Sequence, residues 1–272
     1  MNRRVLVTGA NSGIGLATVL EVARLGFHAI GSARNQGGAE DILRAAEKKG
    51  VEVDTVVFDL ADRESYPDVV SGLDLWGLVN NAAFVNAGAI EDVPLDDARR
   101  QLEVMTVAPV ALALAAVPGM RRRAEGRIVT IGSVAVGSGV PMLGWYQACK
   151  HALTGATDAL RNELASSGID VVIVEPSTVD TPIWAKARKD LESRYRGSWH
   201  RASYTRALKI IDNLQPWMRS PEAVASVVGG ALTAGKPDPV YSVGIDAIAV
   251  NTGMRVLPRR ITDLIAQRAL RA

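Results

Sequence analysis

Short apolar runs alternating with amphipathic helical stretches, along most of 272 residues, restrict this chain more than any other feature. Seven runs read as buried strands, at residues 4–8, 28–32, 53–58, 75–80, 126–132, 170–175 and 240–243. Helical periodicity fills the intervals over residues 13–25, 38–49, 96–117, 145–166 and 220–234. Strands apolar on both faces, joined by helix-length connections, predict a parallel sheet covered on both sides. The expected fold class is α/β: a single-domain, Rossmann-like, doubly wound parallel sheet of about seven strands with helices on both faces. No repeat or low-complexity linker divides it, so residues 1–272 read as one domain.

Composition narrows the function. Apolar residues at 48% and charged residues at 22% describe a globular chain. Thirty-one Lys and Arg against 29 Asp and Glu leave a net charge of +2, too even for a nucleic-acid binder. Cys149 is the one cysteine, so no internal disulfide forms and a reducing compartment is expected. Asn2-Arg3-Arg4 leads straight into the first strand, so no secretory signal is expected before the fold. The most apolar stretch, residues 107–117, is too short to span a bilayer and carries Pro109. A soluble, cytoplasmic protein with no transmembrane segment is expected.

The first strand runs into T-G-A-N-S-G-I-G at residues 8–15. Gly9 permits a sharp exit from the strand, Gly13 lets the backbone approach a pyrophosphate, and Gly15 lets the helix pack closely on the sheet. The helix start supplies amide donors and a positive dipole end, so Gly9, Asn11, Ser12, Gly13, Ile14 and Gly15 are candidate phosphate-cradle residues. An NAD-preferring site usually ends the second strand in an acid that binds the ribose 2′-hydroxyl. Here Gly31-Ser32-Ala33-Arg34 has no carboxylate, and the Arg34 guanidinium suits a 2′-phosphate, which favours NADP(H) over NAD(H). Asp59, with Leu60 beside it, ends the third strand and is placed to accept from an adenine amine.

Tyr146 and Lys150 stand at i and i+4 on one helix, thirteen residues after Ser133. A free tyrosine titrates near ~10, too high for a neutral-pH base. A nearby ammonium, together with the positive charge of an oxidised nicotinamide, favours the phenolate and is expected to lower that value. Ser133, just past its strand, is placed to hydrogen-bond the same substrate oxygen. The triad Ser133, Tyr146 and Lys150 is the candidate catalytic set.

With those residues in place, the chain resembles the short, single-domain branch of the short-chain dehydrogenase/reductase family from Arg4 to about Ala234. Residues 8–15 resemble the family's T-G-x-x-x-G-I-G turn, and Asn80-Asn81-Ala82 its N-N-A-G segment. Pro176 and Thr181 fall on a P-G-x-x-x-T segment that contacts the nicotinamide in the family. The resemblance implies that Lys150 also binds the nicotinamide ribose and that Asn81 lies along the adenosine-side ribose, with Ala82 beside it a candidate cofactor-binding residue.

Three departures stand out. Ala83 replaces the last glycine of N-N-A-G, and Ser177 replaces the glycine of the P-G pair. Met105 occupies the position where the family usually has an asparagine that holds a relay water for the lysine, and a thioether cannot reproduce an amide. Thr106 is adjacent, but one residue along a helix faces elsewhere. The leading expectation is an NADP(H)-dependent oxidoreductase. A catalytically impaired NADP(H)-binding regulator is the alternative that Met105 motivates, and a nucleotide-sugar epimerase ranks third because its glycine spacing differs.

Phe84, Leu143, Trp145 and Trp184 are candidate pocket residues and predict a hydrophobic alcohol or carbonyl substrate. Residues 182–218, helix-prone and rich in Trp and Tyr, read as a lid inserted after a strand end. His28, His151 and His200 lack ligand spacing, so no metal is expected. Cys149 reads as a small packed helix residue. Residues 255–271 carry aliphatic side chains among arginines, as an amphipathic helix would. The helices around residues 107–117 and Tyr146 resemble those that build family oligomers, which implies a homodimer or homotetramer.

Overall fold

Every expected strand forms, within two residues of its sequence bounds. The structure, a computed structural model, describes residues 3–134, 139–244 and 259–271. The strands are β1 (Arg4–Val7), β2 (His28–Ala33), β3 (Asp54–Val57), β4 (Gly77–Asn80), β5 (Gly126–Ile131), β6 (Ile169–Pro176) and β7 (Val240–Val243). They make one sheet in the order β3-β2-β1-β4-β5-β6-β7, parallel at every pairing. The order reverses between β1 and β4, which opens a crevice at the strand ends where ligands bind in sheets of this kind.

Alternating side chains along each strand feed two cores. Val5 and Val7 of β1, with Val129, Ile131, Val172 and Val174, pack under α1 (Gly13–Arg24), α2 (Gln36–Lys49) and a helix at Pro221–Thr233. Leu6, Leu78, Ile128 and Val171 point to the opposite face, where α3 (Pro67–Gly72) and the helices around residues 108–123 and 144–164 cover them. Period-two alternation thus serves both faces, which is why the strands read as nearly unbroken apolar runs.

The helix expected at residues 96–117 is three pieces: α4 (Leu95–Leu102), a π-turn at Glu103–Val107, and α5 (Ala108–Arg123). It continues past Pro118, where the sequence suggests a stop. Proline deletes one bond, to the Leu114 carbonyl, and Leu114 is on the solvent side at 58% exposure, where water can serve that carbonyl. The whole run Leu95–Arg123 is long and apolar enough to cross a membrane by length and composition. The expectation drawn from residues 107–117 alone therefore needs correcting. Here Ala108, Leu112, Ala116 and Met120 are buried against the sheet, as in the core helix of a doubly wound fold.

After α6 (Gly144–Leu164) and β6, the 182–218 segment forms α7 (Ile183–Arg194) and α8 (Arg201–Asp212). Then come α9 (Pro221–Thr233), β7 and α10 (Arg259–Arg271), which packs against α8. Of the amphipathic run expected at 255–271, residues 255–258 lie outside the described residues. A third, smaller core joins α7 and α8 to the loop after β4 through Val85, Ala87, Ala89, Leu191, Tyr204 and Ala207.

Candidate active site

The β1–α1 turn is held from both sides. Buried Thr8 accepts at its hydroxyl from the backbone amides of Asn81 and Ala82, both at 3.0 Å. The Asn81 side chain donates to the Thr8 carbonyl at 2.8 Å and reaches the Gly9 carbonyl at 3.4 Å. Asn81 thus ties β4 to the turn, while still lining the crevice. Gly9 and Gly13 have φ of 64° and 52°, a region other residues seldom adopt. A Cβ on Gly15 would stand 2.2 Å from the Gly9 carbonyl oxygen, so only glycine lets the helix start this close to the turn. Ser12 makes no side-chain cap and the first turn of α1 has no acid, which leaves its amides and positive end for an anion. These residues fit a pyrophosphate.

Arg34 follows β2 beside the start of α2, whose cap Asn35 accepts from the Gly38 amide at 2.9 Å. Asp59 turns one carboxylate oxygen to the Ala61 amide at 2.9 Å, and its other oxygen lies 3.9 Å from Arg100. A single cavity of about 1220 Å³ runs from these residues past the strand ends to the 182–218 segment. It is lined by Gly9, Asn11, Ser12, Gly13, Ile14, Gly15, Arg34, Asp59, Leu60, Asn81 and Ala82 on the turn side. Ser133, Tyr146, Lys150, Pro176 and Thr181 line its middle, and Phe84, Leu143 and Trp184 its far end.

Trp145 is the exception. It does not line the cavity; its indole donates to the Ile90 carbonyl at 3.4 Å. Neighbours on a helix diverge by about 100°, so with Tyr146 turned to the cavity, Trp145 faces the loop after β4. Met142 lines the far end beside Leu143, and sequence reasoning missed Ile183 and Leu191 of α7, which line it too. Their signal was absent because α7 meets the other walls of the cavity only in three dimensions.

The three candidate catalytic side chains converge. Ser133 hydrogen-bonds the Tyr146 hydroxyl, and the Lys150 ammonium lies 5.9 Å from the centre of the Tyr146 ring. Lys150 is 4% exposed and donates to the Ile131 carbonyl at 2.7 Å. Burial pushes the Tyr146 phenol up to about 12, against a smaller lowering by Ser133, and pushes Lys150 down to about 8. The expected lowering of the phenol is therefore not what the chain alone produces. Desolvation outweighs the Ser133 hydrogen bond, which favours the protonated phenol at Tyr146.

The π-turn changes which side chain meets α6. Met105 is 1% exposed and takes the Gln101 amide at its sulfur, 3.7 Å away, while the Gln101 carbonyl oxygen has no partner. Thr106, expected to face elsewhere, donates from its hydroxyl to the Cys149 carbonyl at 3.2 Å, one residue from Lys150. One extra residue in the turn rotates position 106 onto α6. Cys149 itself is fully buried, and burial pushes its thiol up to about 11, as suits an inert packing residue.

A doubly wound sheet with a glycine turn at its switch point and a Ser-Tyr-Lys cluster beside it defines a dinucleotide-dependent oxidoreductase. The short chain dehydrogenase family model matches residues 3–192, and the chain belongs to the short-chain dehydrogenase/reductase family. Among its relatives, an NADPH-dependent 3-dehydrocapnine reductase of Ornithobacterium rhinotracheale is 33% identical over 99% of this chain and 98% of its own. Human retinol dehydrogenase 5 is 30% identical over 97% and 87% of the two chains. A crystal structure of an actinorhodin polyketide ketoreductase variant with NADPH superposes with a TM-score of 0.75 at 27% identity, covering 89% and 95%.

Proposed function

We propose that the protein is an NADP(H)-dependent carbonyl reductase or alcohol dehydrogenase acting on a hydrophobic substrate. The observation that carries this reading is the convergence of the Tyr146 hydroxyl, hydrogen-bonded to Ser133 in the cavity, with Lys150 buried beside it. A nicotinamide held in this cavity would supply or accept the hydride at the substrate carbon. In reduction, Tyr146 gives its proton to the oxygen that gains charge, and Ser133 holds that oxygen in line with the phenol. Lys150, anchored by the Ile131 carbonyl, places positive charge beside the phenol as its proton leaves.

The preference for NADP(H) rests on Arg34 where an acid would select NAD(H). The NADPH dependence of the 3-dehydrocapnine reductase supports it. The substrate class rests on Phe84, Met142, Leu143, Ile183, Trp184 and Leu191 around the far end of the cavity. The 182–218 segment is the lid over that end. Homo-oligomerisation accounts for Ile90, Leu95 and Leu114, which are exposed at 62%, 59% and 58%.

Purified protein with NADPH and a panel of aryl, steroid, retinoid and polyketide-like carbonyls tests the proposal. At least one should be reduced, and Tyr146→Phe should lower kcat by about 100-fold or more. Tight NADPH binding with no turnover on any member would instead favour the regulator reading that Met105 motivates.

A further inference from the structure

Positive charge is concentrated on the lid. Residues 182–218 hold eight Lys and Arg against three acids, a net of +5, so the remaining chain nets −3. All three acids are engaged within the lid: Asp190 with Lys186 at 3.0 Å, and Glu192 and Asp212 with Arg188. Arg206 and Lys209 join no ion pair among the described residues. The face of α8 opposite buried Tyr204 and Ala207 carries Arg206 and Lys209 along a groove of about 520 Å³, bounded at one end by Leu214 and Trp217.

The same segment exposes large indoles. Trp199 is 94% exposed and Trp217 is 76% exposed, although the lid has a buried core that accommodates the ring of Tyr204. Beside α8, α10 exposes Ile261 and Leu264, one turn apart, with Arg260 also exposed. Ile210 and Leu214 line both the outer groove and the internal cavity, so this surface is the outside wall of the proposed substrate end.

We propose that the outer face of the lid docks on an anionic lipid surface. Indoles are amphipathic and settle at the depth of lipid headgroups, where the ring is apolar on one side and wet on the other. Lysines and arginines beside them meet lipid phosphates and the negative surface potential. Arg206 and Lys209 engage headgroup phosphates, Trp199 and Trp217 enter the headgroup layer, and the wall shared with the cavity faces the bilayer. The docking rests on the charge and exposure of the lid, independently of which carbonyl is reduced.

The full chain is sedimented with vesicles of phosphatidylcholine alone and of phosphatidylcholine mixed with phosphatidylglycerol. It should pellet with the anionic vesicles, shift its tryptophan emission to the blue, and release as salt is raised. Arg206→Glu with Lys209→Glu, and Trp199→Ser with Trp217→Ser, should each weaken vesicle binding by about tenfold or more. NADPH binding and turnover of a water-soluble carbonyl should stay as in the unaltered chain, which separates failure of docking from failure of catalysis. The proposal is overturned if the protein stays in the supernatant with anionic vesicles, or pellets equally with neutral ones. It is also overturned if the charge-reversed variant, folded by circular dichroism, binds as the wild type does.

Discussion

Tyr204→Phe tests how the 182–218 segment, the proposed lid, is held down. Tyr204 is fully buried, its hydroxyl accepting from the Ala89 amide at 3.0 Å and donating to Asp92 at 2.8 Å. Ser198 donates to the same Asp92 oxygen at 2.6 Å, and Arg194 reaches from α7 to the Ala87 carbonyl and to Asp97. Removing the hydroxyl keeps the ring and its packing but strands the Ala89 amide and takes one donor from a carboxylate. An unpaired buried amide costs about 1–3 kcal/mol, and a hydrogen bond to a charged group contributes about 1.5–3 kcal/mol. The expected loss is therefore about 3 kcal/mol of lid docking.

If the lid opens alone, 3 kcal/mol raises its open population by about 100-fold, and trypsin cleavage within 182–218 should accelerate to match. If it opens only with the whole domain, Tm should fall by roughly 6–12 °C. In either case KM for a hydrophobic carbonyl should rise while NADPH affinity holds, because the glycine turn lies on the far side of the cavity. Unchanged trypsin sensitivity together with a Tm within about 1 °C of wild type would refute the latch.

Other substitutions separate the remaining roles. Arg34→Ala should weaken NADPH by about 1.5–3 kcal/mol, roughly 10- to 150-fold, and leave NADH within about threefold; equal losses in titrations with both would remove Arg34 from cofactor selection. Lys150, lowered to about 8 by burial, loses its charge as pH rises through that value. With saturating NADPH, kcat/KM for reduction should accordingly fall above about pH 8 and hold below it; Lys150→Arg, always charged, should abolish that limb, and a flat wild-type profile would contradict the assignment. Asp92 is desolvated by burial, yet the hydrogen bonds from Ser198 and Tyr204 win and hold it below the ordinary carboxylate range. A depressed carboxyl contributes stability above the unfolded value and loses it as pH falls below about 4, so acid should release the lid first, seen as trypsin-independent loss of lid amide protection. Met105→Asn offers the orphaned Gln101 carbonyl a donor and puts an amide where the family usually has the relay asparagine. Its reduction rate should rise by about tenfold where proton relay limits turnover; no gain in stopped-flow rates would show that Thr106 or another route suffices.

Much of the fold was legible in the chain because its signals are local. Strand runs are short and apolar on both faces, helix periods are clear, and Gly9, Gly13 and Gly15 each meet a backbone requirement stated by their own neighbours. The Ser133, Tyr146 and Lys150 cluster was legible for a related reason. A strand end and the face of one helix place side chains by fixed geometry once the sheet is known. Trp145 escaped this logic because residues one step apart on α6 face a cavity and a loop, and only the loop's position says which.

The sequence alone thus determined a parallel doubly wound sheet, a glycine turn at its first strand end and the convergence of Ser133, Tyr146 and Lys150, since each depends on residues close together or on strand order. Tertiary structure alone decided the protonation of that set, because desolvation at Tyr146 and Lys150 is a sum over atoms from distant elements. It also decided the fate of the lid aromatics, burying Tyr204 and leaving Trp199 in water. Nothing in either residue's neighbours differs enough to say so; the partner that buries Tyr204 lies more than a hundred residues away, at Ala89 and Asp92.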